Sequence, residues 1–287
     1  MTGRIPQRAA LLVVAMLAAG ALSALVAGAA SAQLVYKNVP TPRPKAGFPA
    51  LGFESDSVAE FGGEVEFAGT ARENPTVTVY MESYACQTGS GAACTSTPGA
   101  TFPVPITLSI YQVGSYGAPA DQLTQTFNIP YRPSASADCP LELPEHVKGY
   151  GKLCAFAKTA KIKFKLLGAT LPARAVLAVA YNTENYGKEP TGVGGPYNSL
   201  NVAVNANYVC APGKENPVTK ECEGEDYINV STEAPSVGAD PLPEQVFLNT
   251  TYSAIDCGGT LGSFGPTGIE PTCNWKFEQP AFEVKAK

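Results

Sequence analysis

One histidine, one tryptophan and three methionines are all that 287 residues hold of those types, and charged side chains make up only 16%. A Ser-His-Asp or Cys-His apparatus would have to use His146 as its base, and no Gly-x-Ser-x-Gly elbow accompanies it. His146 lies in Leu143-Pro144-Glu145-His146-Val147-Lys148, a context that suits a surface loop, and no catalytic residue is assigned. The Cys-x2-4-Cys knuckles and Cys/His mixtures of zinc sites are missing, as are EF-hand and Asp-rich calcium repeats. No metal and no cofactor are expected. Basic residues cluster only at Lys158, Lys161, Lys163 and Lys165, where they alternate with Ile162, Phe164 and Leu166. That is the wet face of a strand, whose charges discourage edge-to-edge pairing, and nucleic acid, which demands a clustered basic surface, is not an expected partner. Beyond the N-terminal segment no apolar run is long enough to span a bilayer, and the end, Phe282-Glu283-Val284-Lys285-Ala286-Lys287, has no hydrophobic tail.

The N-terminal segment itself reads as an export signal. Arg4 and Arg8 supply a positive start, Ala9 to Ala27 a charge-free Ala/Leu/Val stretch, and Ala30-Ser31-Ala32 a small-x-small cleavage site. Removal of residues 1–32 takes away two arginines and no acids, leaving 18 basic and 25 acidic side chains, a net charge of −7. Secretion to the extracellular side without stable membrane insertion is the expectation. An uncleaved anchor is the competing reading of the same segment.

Eight cysteines follow, in four close pairs: Cys86/Cys94, Cys139/Cys154, Cys210/Cys222 and Cys257/Cys273. An even count behind a secretory segment reads as a disulfide framework. Eight cysteines allow about 105 pairings, and nearest-neighbour pairing is expected because the pairs bracket turn-rich loops. Metal binding is the rival use of the thiols, with spacings that do not suit it.

With 28 glycines and 25 prolines among β-branched strands, many turns join many strands. Glu64-Val65-Glu66-Phe67, Thr76 to Met81, Ile106 to Ile110 and Lys161 to Leu166 alternate polar with apolar, the mark of a sheet with one buried face. Leu123 to Ile129 and Leu200 to Val204 alternate more weakly, and Trp275 to Phe277 with Phe282 to Val284 could close the set. Val176-Leu177-Ala178-Val179-Ala180-Tyr181 is apolar throughout, as in a central strand covered on both faces, with a short buried helix as its rival. Helix is expected only as single turns in loops, Pro144 to Gly149 being a candidate. The chain is therefore expected to be all-β: a single large antiparallel β-sandwich, Ig-like or jelly-roll, with disulfide-stapled loops, a barrel being the alternative. Residues 33–50, with Pro40, Pro42, Pro44 and Pro49, read as an extended lead-in and residues 51–287 as the domain.

Among 25 acids no pair stands out. Glu64, Glu66, Glu223, Glu225 and Asp226 read as solvated strand or loop charges, and the sequons Asn229-Val230-Ser231 and Asn249-Thr250-Thr251 matter only in a glycosylating host. The most distinctive stretch is Ala180 to Gly187 followed by Gly194 to Val202. Tyr181, Asn182, Tyr186, Tyr197 and Asn198 in a Gly/Pro loop are what a sugar-binding surface uses, since rings stack on apolar sugar faces and amides read hydroxyls. The same residue types also stabilise long β-loops by bonding their own backbone.

Leu51-Gly52-Phe53, Ala59-Glu60-Phe61-Gly62, Ala68-Gly69-Thr70, Tyr181 to Val202, Val237-Gly238-Ala239-Asp240 and Phe247-Leu248-Asn249 together resemble a family of exported bacterial β-sandwich proteins of unassigned function. The resemblance spans most of the chain beyond residue 32, implies one domain and no catalytic residues, and accommodates the Cys139/Cys154 pair. Two functional expectations stand: a non-catalytic exported protein that binds an extracellular glycan or surface protein or serves a structural envelope role, and a carboxylate-dependent glycan-active enzyme.

Overall fold

The structure is a computed structural model that describes residues 31–41, 48–51, 58–89, 93–134, 157–181, 200–210, 212–213, 227–250, 265–266 and 277–287. Ala32–Lys287 form one compact unit. The described residues carry fifteen strands: β1 (Gln33–Lys37), β2 (Ala50–Leu51), β3 (Val58–Glu66), β4 (Thr76–Ser83), β5 (Thr101–Gln112), β6 (Asp121–Pro130), β7 (Lys158–Lys165), β8 (Arg174–Tyr181), β9 (Leu200–Asn205), β10 (Asn207–Cys210), β11 (Tyr227–Ser231), β12 (Phe247–Thr250), β13 (Gly265–Pro266), β14 (Gln279–Pro280) and β15 (Phe282–Ala286). None of the described residues is in an α-helix. The expected helical turn at Pro144 to Gly149 and Trp275 lie outside them.

Two antiparallel sheets form the sandwich. Sheet B has the order β13-β12-β3-β8-β5-β6; sheet A runs β1-β15-β4-β9-β14, with β7 on the other edge of β4 and β2 on β9. The alternation seen in the sequence sets the inner faces. Phe61 and Val65 of β3, Ile106, Leu108 and Ile110 of β5, and Leu177 and Val179 of β8 meet Val77, Val79 and Met81 of β4, Ile162 and Phe164 of β7, and Val202 and Val204 of β9 in one core. Phe127 of edge strand β6 packs edge-on against Phe164 of edge strand β7, ring centroids 4.9 Å apart, and closes that side. Lys161, Lys163 and Lys165 of β7 are exposed between buried Ile162 and Phe164, as the alternation implies.

Sheet A curls where the C-terminal chain enters it. β4 and β9 pair at Met81↔Val202 to Ser83↔Leu200 and then part. β14 runs up along β9, with Gln279 opposite Asn205, the chain reverses at Ala281, and β15 runs down β4 from Phe282↔Val79 to Lys285↔Thr76. The apex is bonded on both sides, since Tyr80 N donates to Ala281 O (3.2 Å) and Ala281 N to Ala203 O (2.8 Å). The segment read from its prolines as a lead-in enters this sheet: Gln33–Lys37 pairs with β15.

Each sheet also carries a small apolar cluster on its outer face. On sheet A it is Val39, Phe48, Tyr80, Ala203 and Ala281. On sheet B it is Tyr111, Val176, Ala178 and Phe247, joined by Tyr116 and Leu242. In the first the Phe48 and Tyr80 rings meet, centroids 5.5 Å apart, and Leu242 packs against the second. Covering on both faces explains why β8 is apolar without alternation.

Cys86 and Cys94 are joined, with Cα atoms 5.4 Å apart, as nearest-neighbour pairing predicts. Cys210 is also disulfide-bonded. Cys139, Cys154, Cys222, Cys257 and Cys273 lie outside the described residues. Closing a loop of 8 residues stabilises by about 2–3 kcal/mol on the chain-entropy account.

Candidate functional site

Tyr181, Asn182, Tyr186, Tyr197 and Asn198 were chosen from the sequence as ligand-facing. Tyr181 is the last residue of β8 and is 6% exposed, part of the main core. Its phase explains this: Leu177, Val179 and Tyr181 share the inner face, and the Tyr181 hydroxyl donates to the Leu200 carbonyl. A ring so placed has no free face for a sugar, so the assignment of Tyr181 is corrected to a core tyrosine that ties β8 to β9. Asn182, Tyr186, Tyr197 and Asn198 lie outside the described residues.

The structure draws together a different set on the outer face of sheet B. Register places Asn249, Glu60, Ala180 and Thr107 in one row, Phe247, Gly62, Ala178 and Ser109 in the next, and Glu64, Val176 and Tyr111 in a third. Glu64, expected to be a solvated strand charge, is 1% exposed. Beside it runs the segment that includes Val237-Gly238-Ala239-Asp240, whose Asp240 feels the Glu64 charge. It bonds β1 through Lys37 N to Val237 O (2.9 Å) and β3 through Glu66 N to Ala239 O (2.9 Å) and Ala239 N to Glu66 O (3.0 Å). Gly238 permits this path: its φ is +79°, and a Cβ there would stand 2.5 Å from the Glu66 carbonyl oxygen. Gln279 then anchors the turn that follows, its Nε2 donating to the carbonyls of Leu242 (3.3 Å), Pro243 (3.4 Å) and Gln245 (2.7 Å). Gly63 leaves room for it, since a Cβ there would come 2.4 Å from Gln279 Oε1.

Within this face Glu60 and Glu64 each have a partner on another strand, and Asp240 one within its own turn. The Tyr111 hydroxyl donates to both oxygens of Glu60, 3.0 Å each. Burial raises the Glu60 carboxyl above its ordinary range, opposed by the hydroxyls of Tyr111 and Ser109, while burial and the Glu60 charge raise the Tyr111 phenol. Arg174 of β8 forms an ion pair with Glu64. Asp240 Oδ1 accepts from Leu242 N at 3.1 Å. Burial, with the Glu64 charge adding to it against the Leu242 bond, pushes Asp240 up to about 6. Burial and the Asp240 charge also raise Tyr36.

Sheet A also buries an acid. Glu82 of β4 is 0% exposed, and its Oε1 accepts from Phe48 N (3.1 Å) and from the Thr159 hydroxyl (2.7 Å). Its Oε2 has no hydrogen-bond partner among the described residues. Burial pushes Glu82 up to about 6 against those two bonds.

Sequence reasoning missed these acids because strand alternation marks Glu60 and Glu64 as outward-facing, and outward is normally wet. One signal was present: Glu60-Phe61-Gly62-Gly63-Glu64 puts two glycines between the acids, and in a strand interior glycine marks close approach of other chain segments. Chemically the arrangement binds carboxylates to tyrosine, arginine and backbone groups of this chain. Among the described residues no group of three or more His, Cys, Asp and Glu side chains could hold a metal ion, and no helix is long and apolar enough to cross a membrane. Compared with protein-family models, curated proteins and solved structures, the chain matches none.

Proposed function

We propose that this chain is an exported, non-catalytic β-sandwich whose role is to bind a surface glycan or protein, or to act structurally in the envelope. One observation carries the non-catalytic part. The buried acids Glu60, Glu64 and Glu82 are engaged by Tyr111, by Arg174, and by Phe48 N and Thr159, and each bond fastens one part of the sandwich to another. A catalytic carboxylate instead faces the bond it cleaves. Export is supported by the N-terminal segment and by the Cys86–Cys94 disulfide, a bond that persists outside reducing compartments. The binding surface is assigned to the connection between β8 and β9, on the residue chemistry of Asn182, Tyr186, Tyr197 and Asn198. A glycan array and a pulldown from culture surfaces test it. Retention by the wild type that falls at least about tenfold in Tyr186→Ala with Tyr197→Ala supports the reading. Blank results in both, or retention indifferent to the two substitutions, overturn the binding role.

The second reading, a carboxylate-dependent glycan-active enzyme, draws on Asp240, which is held near pH 6 beside the Glu64 charge. A carboxyl kept protonated by burial is what a general acid uses. Glycan hydrolysis lost in Asp240→Asn while the fold is retained would favour it over the first.

A further inference from the structure

We propose that Cys86–Cys94 is a thiol–disulfide exchange site, opened by an external dithiol at Cys86, with Arg132 holding the Cys94 thiolate that departs. Arg132 Nε lies 3.1 Å from Cys86 Sγ and 3.0 Å from Cys94 Sγ, and the residue is 9% exposed. A disulfide sulfur is a weak acceptor, so an N–H aimed at it does little for the oxidised form. Toward a thiolate the same N–H is a charge-assisted donor at close range, which is the environment that lowers a cysteine pKa and makes it a good leaving group. The cation is thus placed for the reduced state.

The two sulfurs differ in access. Cys94 is 3% exposed, while Cys86 keeps partial exposure. The incoming thiolate therefore attacks Cys86 Sγ, the Cys86–Cys94 bond breaks, and the bonding pair leaves on Cys94 Sγ next to Arg132. The second thiol of the reductant, as thiolate, then attacks its own sulfur in the mixed disulfide and expels Cys86, which takes up a proton. The balance is two electrons from the dithiol, which becomes a disulfide, to a Cys86 thiol and a Cys94 thiolate, with one proton released.

The surroundings stay in place without the covalent bond. Thr88 N and Thr95 N each donate to the other's carbonyl at 3.0 and 2.9 Å, and Gln87 N donates to Ser96 Oγ at 3.1 Å. Ser134 Oγ accepts from Ser96 N (2.9 Å) and donates to Ser96 O (3.0 Å), and Arg132 N donates to Ala85 O (2.9 Å). These bonds bracket both cysteines, keep the sulfurs adjacent after reduction, and make the exchange reversible.

The test uses the full chain equilibrated in buffers of reduced and oxidised dithiothreitol, with mass measurement of alkylated Cys86 and Cys94 peptides. Arg132→Gln is expected to make this pair about tenfold harder to reduce, and the reduced wild type to alkylate at Cys94 with a midpoint at least one pH unit below the ~8.5 of an ordinary thiol. Equal reduction of wild type and variant within about twofold overturns the proposal. If Arg132→Gln does not fold, the wild-type pH profile decides alone, a midpoint at or above ~8.5 overturning it. Loss of the β circular-dichroism signal on reducing this pair also overturns it.

Discussion

The two sheets bury acids by different chemistry. On sheet A, Glu82 accepts from a backbone N–H, that of Phe48, and from a threonine hydroxyl. On sheet B, residues 237–242 lie beside Glu64, which is ion-paired with Arg174. Lys161, on the strand beside Glu82, has its Nζ 5.3 Å from the centre of the Tyr80 ring. A buried carboxylate met only by neutral donors resists ionisation, whereas one met by a guanidinium depends on that partner being present. The Glu82 contact is therefore sensitive to pH and the Glu64 pair to the loss of a single side chain, although Asp240 beside Glu64 is pushed up by burial just as Glu82 is.

Three experiments sharpen this contrast, from the largest expected effect to the smallest. Gly238→Val combines a left-handed backbone position with a Cβ 2.5 Å from the Glu66 carbonyl, and is expected to cost about 3–5 kcal/mol in urea unfolding. A loss below about 1 kcal/mol would mean that the segment does not need this path. Arg174→Ala leaves Glu64 buried and unpaired, at a cost of about 2–4 kcal/mol. Adding Glu64→Gln should recover at least half of that, and a double variant no better than the single would show that Arg174 acts through packing alone.

Glu82→Gln probes the other sheet. An unfolded glutamate titrates at about 4.3, and Glu82 in the fold is pushed up to about 6. The folded state thus holds the proton more tightly. Its contribution to stability is complete below pH ~4.3 and is lost as pH rises through about 6, about 2 kcal/mol in all. Wild type should therefore lose about 2 kcal/mol more than Glu82→Gln between pH 4.5 and pH 8, on top of any slope shared through Glu60 and Asp240. Parallel pH profiles would remove Glu82 from the account.

Local pattern carried much of the fold. β7 is legible because Lys161, Lys163 and Lys165 interleave with Ile162 and Phe164, and β8 because six apolar residues in a row need cover on both faces. The same phase, followed two residues past Val179, places Tyr181 in the core, although its position beside a Tyr/Asn-rich loop suggests a surface ring. Pro103 and Pro105, by residue type alone, argue against a strand interior. They are tolerated because β8 pairs with β5 only from Ile106 onward, so their missing N–H groups fall where β8 provides no partner.

What the residue order determined alone is the strand content, the inner faces and the pairing of Cys86 with Cys94, because period-two alternation and cysteine spacing are properties of neighbours along the chain. Which outward side chains are wet was decided only in three dimensions. Glu64 meets Arg174 across 110 positions, Glu82 meets Phe48 across 34, and Arg132 reaches sulfurs 46 and 38 residues before it. Such meetings depend on how the sheets curl and where the chain returns, and no local period encodes them.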